Sequence, residues 1–193
     1  MTKQLALVIN LDRCIGCHAC TVACKMENNI ERDAWVNVRT IGGGMLDTPQ
    51  GVYPNLSLYY LPVSCMHCEN PPCVDACPTG AMYKREEDGI VLVNQDRCIG
   101  CRLCIWACPY QVIDYDTQYP GEKVVSKCTL CAHRVALGMV PACVEGCTYG
   151  ARLFGDIHDP NSEVSQLILQ KNGRTLLPEQ RTNPAVHYLG NGR

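Results

Sequence analysis

The sequence predicts an α+β fold made of two related halves, with loop-rich inserts and an extended C-terminal tail. Three observations predict it. All sixteen cysteines fall into four groups of four. The groups repeat in order, so that the first and second together resemble the third and fourth. Short apolar runs at the edges of the groups have the composition of strands, and the stretches within the groups suit short helices.

The groups are Cys14, Cys17, Cys20, Cys24; Cys65, Cys68, Cys73, Cys77; Cys98, Cys101, Cys104, Cys108; and Cys128, Cys131, Cys143, Cys147. Asn10-Leu-Asp-Arg-Cys-Ile-Gly-Cys17 returns as Asn94-Gln-Asp-Arg-Cys-Ile-Gly-Cys101, and the match extends through Cys20/Cys104, Ala23/Ala107 and Cys24/Cys108. Pro71-Pro-Cys-Val-Asp-Ala-Cys-Pro-Thr-Gly-Ala81 likewise parallels Pro141-Ala-Cys-Val-Glu-Gly-Cys-Thr-Tyr-Gly-Ala151.

In chain order, Leu5–Ile9 reads as a strand entering the first cysteine loop, and His18–Met26 as the helix leaving it. Segment 28–61, with Gly42-Gly-Gly44 and the prolines Pro49 and Pro54, reads as a loop-rich insert. Met82–Arg85 and Ile90–Val93 flank Glu86-Glu-Asp-Gly89, a hairpin turn in which glycine supplies the positive φ. Val91–Val93 leads into the third cysteine loop, Arg102–Cys108 suits a helix, and Gln111–Ser126 reads as a second insert. Arg152–Phe154 answers the Met82–Arg85 strand. Ser162 stands where it would cap a helix over Glu163–Lys171, and the proline-containing tail beyond is expected to lie on a neighbour or fray. The expected organisation is one half from 1–27 with 109–155, a second over 62–108, an insert at 28–61, and a C-terminal helix with a partner-binding tail over 156–193.

The spacing carries the chemistry. The first and third groups read C-x2-C-x2-C-x3-C, the run that in bacterial ferredoxins gives three thiolates to one [4Fe-4S] cluster and the fourth to another. Each half is therefore expected to be ferredoxin-like, of the bacterial two-cluster type, and the whole chain to hold four [4Fe-4S] clusters. Gly16 and Gly100 sit inside the loops where the backbone must approach a cluster closely. Proline follows the remote cysteine at Cys77-Pro78 and Cys108-Pro109, but not at Cys24-Lys25 or Cys147-Thr148. Disulfides are a poor alternative, because cysteines three apart on one loop rarely bridge each other. Zinc would fit Cys128-x2-Cys131 with Cys143-x3-Cys147 taken alone, but zinc knuckles use cysteine pairs rather than triplets.

Composition agrees. The apolar fraction of 47% counts the cysteines, and only one Phe and two Trp remain to build a core, so bound metal is expected to hold much of the fold together. A net charge of −2 without long runs of one sign argues against nucleic acid as a partner. The N-terminal apolar run is too short for a signal peptide, and no stretch approaches the roughly eighteen apolar residues of a membrane span. No nucleophile–base constellation, phosphate loop or nucleotide fingerprint stands out, so no direct small-molecule substrate and no catalytic residue is expected. His18 and His67 lie inside cysteine loops, near enough to bond a cluster sulfur or to face solvent or backbone; His133, His158 and His187 have less claim. Trp106 is expected to pack as a lid on a cluster. Arg13/Arg97 and Asp12/Asp96 repeat with the motif and either orient the loop or lie on the surface. Lys25 and Lys127 stand where their charge would raise a cluster's potential.

Taken together, the runs Cys14-Ile-Gly-Cys-His-Ala-Cys-Thr-Val-Ala-Cys24, Cys65-Met-His-Cys-Glu-Asn-Pro-Pro-Cys73, Cys77-Pro-Thr-Gly-Ala81 and Cys98-Ile-Gly-Cys-Arg-Leu-Cys-Ile-Trp-Ala-Cys-Pro109 resemble the iron–sulfur subunit of the dimethyl sulfoxide reductase family of molybdenum or tungsten enzymes. The likeness covers about residues 5–155, and Asn183-Pro-Ala-Val-His-Tyr-Leu189 fits as well. It implies a non-catalytic electron-transfer subunit whose groups exchange ligands: Cys14, Cys17, Cys20 with Cys147; Cys24 with Cys128, Cys131, Cys143; Cys65, Cys68, Cys73 with Cys108; and Cys77 with Cys98, Cys101, Cys104. Some relatives replace a cysteine of the third group and hold a [3Fe-4S] cluster; Cys101 here implies four irons. The resemblance also implies a large molybdopterin (Mo or W) catalytic partner near the Cys14 cluster, and a quinol-oxidising membrane subunit at the far end. It favours the periplasmic face, reached by co-export with a signal-bearing partner, with the cytoplasm as the alternative. A free-standing polyferredoxin, or a carrier linked to hydrogenase or formate dehydrogenase, is the rival reading.

Overall fold

The computed structural model describes residues 3–31, 34–45, 47–115 and 125–190. In chain order it runs β1 (Leu5–Asn10), α1 (Ala19–Glu27), β2 (Asn37–Ile41), β3 (Gln50–Val52), β4 (Asn55–Ser57), β5 (Tyr59–Val63), α2 (Pro72–Asp75), β6 (Met82–Lys84), β7 (Val91–Val93), α3 (Leu103–Ala107), β8 (Asp114–Tyr115), β9 (Val125–Ser126), α4 (Ala132–Val135), α5 (Ala142–Glu145), β10 (Arg152–Asp156), α6 (Glu163–Gln170) and β11 (Val186–Leu189). Short helices and small sheets make an α+β arrangement.

β1 is the middle strand of a three-stranded sheet, antiparallel to β10 and parallel to β11. Its uninterrupted apolar run follows from that position, since both faces are covered. Leu5, Leu7 and Ile9 point into the main core with Met82, Ile90 and Tyr188, while Val8 points the other way, under Val164 of α6. The hairpin at residues 86–89 forms as the sequence predicts, with β6 against β7 and Gly89 at φ +73°.

β1·β10 and β6·β7 have the same register relative to the cysteine motifs. Ile9 pairs with Arg152 as Val93 pairs with Met82. The Asn10 amide donates to the Ala151 carbonyl at 2.7 Å, and the Asn94 amide to Ala81 at 2.7 Å. The Asn10 and Asn94 side chains each accept from the amide two residues on, at 3.1 and 3.0 Å.

Three expectations are refined. The insert at 28–61 keeps its loops but also forms strands: β2 pairs with β5 and β3 with β4, giving a β-ribbon. The cause is the apolar content of its roots, where Val36 and Val38 bury against Cys20, Cys24 and Cys143. The described part of the tail does not fray. It returns as β11, and Val186, Tyr188 and Leu189 are buried because β1 would otherwise leave an apolar edge uncovered. Ser162 holds the N-cap position of α6 without a side-chain capping bond. Of the second insert, residues 116–124 lie outside those described; its ends pair as β8·β9. No helix among the described residues is long and apolar enough to cross a membrane.

Candidate metal centres

The first and third cysteine loops take one shape. Gly16 and Gly100 have φ of +70° and +66°, and His18 and Arg102 follow at +58° and +68°, turning the chain into α1 and α3. Gly16 is required by close approach as well as by conformation: a Cβ there would stand 2.5 Å from the ring of Tyr60, on β5. Gly16→Ala is expected to push the ribbon off the first loop and to lower iron content, read by iron analysis of purified complex beside wild type.

On α1 and at the end of α3, cysteines four residues apart share a face. Cys20 and Cys24 are buried together, as are Cys104 and Cys108. Trp106 lies two residues from each member of the second pair, so it points to the opposite face. It is 85% exposed and is not the lid the sequence suggested.

The structure brings cysteines of different groups together. One cavity is lined by Cys14, Cys17, Cys20 and Cys147, with Arg152 in its wall. Another is lined by Cys77, Cys98, Cys101 and Cys104, with Met82 in its wall. The charge of Cys24 is felt with those of Cys128, Cys131 and Cys143, and Cys65, Cys68, Cys73 and Cys108 form the remaining set. The sets also follow one another in space. Helix α1 carries Cys20 and Cys24 into the first and second sets, Cys128 interacts with Cys65 across the second and third, and α3 leads Cys104 and Cys108 into the fourth and third. Exposure is graded along this row. Cys17 and Cys101 are exposed at its ends, while all eight cysteines of the two inner sets are buried.

Electrostatics shows what such sets can hold. Burial first, with neighbouring cysteines adding to it, pushes the thiols of Cys24 and Cys73 up to about 12 and those of Cys68 and Cys104 up to about 11. Burial likewise drives Cys128 well up, with Cys24, Cys65 and Cys143 adding to it. Four thiolates so placed need a polycation among them, and binding it releases their protons. A single ion does not fit: zinc holds its sulfurs ~3.8 Å apart, from Zn–S bonds of about 2.3 Å. Among the described residues no three or more His, Cys, Asp or Glu side chains gather closely enough to hold one ion. Four thiols to a set is the number a cubane requires, one thiolate per iron. Backbone amides are aimed at the sulfurs: Met82 at Cys77 (3.4 Å), Leu130 at Cys128 (3.3 Å) and Ala151 at Cys147 (3.3 Å). At Cys77 burial raises the thiol, but hydrogen bonds from Met82 and Thr79 outweigh it and the net shift is downward.

The remaining candidates sort by burial. His67 is fully buried; its Nδ1 accepts the Val91 amide at 3.1 Å, so Nε2 carries the proton and has no protein partner. Burial first, and Lys127 second, hold it neutral. Lys127 is buried, donating to the carbonyls of Val91 and Cys128, and its charge favours the Cys73 thiolate. Lys25 instead reaches the Glu31 carbonyl at the surface, 3.1 Å away. Arg97 clips the Thr79 carbonyl at 2.8 Å, steadying the turn after Cys77. His133 joins Arg134 and Glu27 in a surface ion cluster, His18 and His158 are exposed, and His187 is lowered by burial alone. Two residues escaped sequence reasoning. Thr182 bonds the Cys68 sulfur and the Tyr110 hydroxyl (2.6 Å), and the tail around it straps the second cysteine loop through Asn183–Glu69 and Ala185–Met66 backbone bonds. Arg152 is the other; an arginine opening a strand carries no local signal of lying among thiols.

The fold and its centres define a ferredoxin-like protein with two dicluster domains. Two family models, each described as a 4Fe-4S dicluster domain, match residues 13–81 and 56–157. The chain is 46% identical to a sulfite dehydrogenase subunit of Allochromatium vinosum, over 96% of this chain and 82% of that protein. It is 43% identical to a tetrathionate reductase subunit of Salmonella typhimurium, over 97% and 72%. To the arsenate respiratory reductase iron–sulfur subunit of a Shewanella species it is 36% identical, over 96% of each. The chain belongs to the iron–sulfur subunit family of the molybdopterin oxidoreductases. It holds four [4Fe-4S] clusters and transfers electrons for a catalytic subunit without transforming a substrate itself.

Proposed function

We propose that the clusters are held by Cys14, Cys17, Cys20 and Cys147; by Cys24, Cys128, Cys131 and Cys143; by Cys65, Cys68, Cys73 and Cys108; and by Cys77, Cys98, Cys101 and Cys104. The observation that carries this is the sorting of thiols from different sequence groups into two lined cavities and two buried sets. The shared register of β1·β10 and β6·β7 supports the division into two halves, 1–27 with 109–155 and 62–108, descended from one. Bound clusters of this kind take up and release single electrons. The chain's residues hold them in a row, keep water from the inner two, and aim amides at the sulfurs, which stabilises the more negative state.

The row has two surface ends. Ile15 and Tyr149 are exposed beside Cys17, and Ile99, Leu103 and Trp106 beside Cys101. The relatives' names as reductase subunits support a catalytic partner. In this proposal the first end faces that molybdopterin subunit and the second a quinol-oxidising membrane subunit, each covering the exposed apolar side chains at its end. The assembly works at the periplasmic face, co-exported with a signal-bearing partner. The test is elemental analysis of the complex captured through a tag on this chain, from periplasmic and cytoplasmic fractions grown anaerobically. About sixteen irons per chain beyond the partner's own, with molybdenum or tungsten, is the expected result. Full iron without either metal overturns the molybdopterin partner in favour of a free carrier, and recovery from the cytoplasm alone overturns the compartment.

A further inference from the structure

Among the described residues, Arg152 is the one arginine buried at the centres, and it has no ordinary partner. The residue is 4% exposed, and Nε, Nη1 and Nη2 all lie buried without a hydrogen bond to any protein group. No carboxylate pairs with it among the described residues. An isolated buried guanidinium costs several kcal/mol unless anions and acceptors surround it. Around it are thiols and the Tyr188 hydroxyl: its charge acts on Cys14 and Cys20 of one ligand set and on Cys24, Cys128 and Cys143 of another. It therefore stands between the Cys14 and Cys24 ligand sets.

The equivalent place at the other end of the row is occupied differently. Arg152 opens β10 opposite Ile9, and Met82 opens β6 opposite Val93, in the same register after the same Gly-Ala pair. Each side chain forms part of the wall of its end cavity. Where the Cys14 end has a permanent cation, the Cys77 end has a thioether. Arg102 also lines that second cavity, but it is exposed and its guanidinium lies over the Tyr115 ring, 4.2 Å from the centroid, where water screens it. The leading charges on Cys104 are those of Cys98, Cys101 and Cys77.

We propose that Arg152 sets the potential of the Cys14 and Cys24 clusters, donating hydrogen bonds to their sulfurs and making them easier to reduce than the Cys77 cluster, which has Met82 in the same place. Reduction adds one negative charge, and a fixed cation a few ångströms away in a low-dielectric interior stabilises the reduced form. Arginine suits the position because it does not lose its proton and its fork can serve acceptors on two sides. A buried cation in place of a thioether at the same register position thus grades the row, favouring electron residence at the Cys14 end. This rests on the ligand sets proposed above.

The test is an anaerobic potentiometric titration of the purified complex, followed by EPR. Arg152→Met puts the same thioether at both register positions. It is expected to keep the iron content and to lower the midpoint of one or both affected clusters by a tenfold or larger change in the reduction equilibrium, about 59 mV for a one-electron couple. Arg152→Lys, which keeps the charge, is expected to restore most of the shift. Unmoved midpoints in Arg152→Met at full iron overturn the proposal. A second measurement is independent of how well Arg152 variants fold. Cys17→Ser and Cys101→Ser, at the exposed ends, each remove one EPR signal, and the signal lost with Cys17 is expected to titrate at the higher potential. The reverse order overturns the proposal. Removal of the same signal by both variants, or a shift confined to the Cys101-dependent cluster in Arg152→Met, overturns the ligand sets instead.

Discussion

Cys101→Ser is expected to convert one four-iron cluster into a three-iron cluster while leaving the other three intact, lowering iron by about one atom per chain. The expectation follows from where Cys101 sits. It is exposed, on a loop whose neighbouring thiols Cys98 and Cys77 are only half-buried, so losing it opens one corner of the cluster to water without leaving a void in the core. Cys73→Ser is the contrast. That thiol is buried, burial and its neighbours push it up to about 12, and its set lies in the interior of the row. Its loss removes a whole cluster and about four irons, and breaks the row between its two ends. Iron analysis with EPR of the oxidised protein separates the two cases: Cys101→Ser gains a three-iron signal and Cys73→Ser does not. Four unchanged four-iron signals in the Cys101 variant would remove that cysteine from the ligand set.

The second large effect is expected far from any cysteine in sequence. Tyr188 is 1% exposed, and its hydroxyl donates to the Pro62 carbonyl at 2.9 Å. It joins β11 to the root of the ribbon, and the same return of the chain lays Thr182–Ala185 across the second cysteine loop. Tyr188→Ala creates a core cavity, at about 3–5 kcal/mol for an aromatic. For a chain of this size that lowers the melting temperature by roughly 2–4 °C per kcal/mol, so by about 6–20 °C. Tyr188→Phe removes only the hydroxyl and strands the Pro62 carbonyl, for about 1–3 kcal/mol. Thermal unfolding of the purified complex, with iron release followed in parallel, checks both. The Ala variant should release iron early because the strap over Cys65–Cys73 opens with the sheet. A melting temperature for Tyr188→Ala within a degree or two of wild type would show that β11 does not brace the centres.

The metal-binding character of the chain was legible because it is written locally. Three thiols at three-residue spacing with a glycine between them can reach three corners of one body, and the spacing does not depend on what the rest of the chain does. The repeat of Asn10–Cys24 at Asn94–Cys108 was legible for the same reason. So did the hairpin at Gly89, whose turn residues specify it. The sequence by itself thus determined the α+β character, the number of thiols and the kind of body they hold.

What only the tertiary structure decided depends on which distant segments meet. Trp106 shares its helical turn with two inward cysteines, and the face it occupies is fixed by theirs, so it points to solvent. Residues 28–61 and the tail interrupt their apolar residues with glycines, prolines and polar stretches, so they do not announce strands alone. They become β-structure because the first cysteine loop and the open edge of β1 give them something to cover. Arg152 looks like an ordinary surface cation in sequence, and Lys25 and Lys127 look equally placed beside cysteines. Folding leaves Lys25 at the surface and buries Arg152 and Lys127 near thiols, where a charge that water would screen at the surface acts at close range in a medium of low dielectric. Local spacing chooses the cofactor, and long-range packing decides which charges surround it.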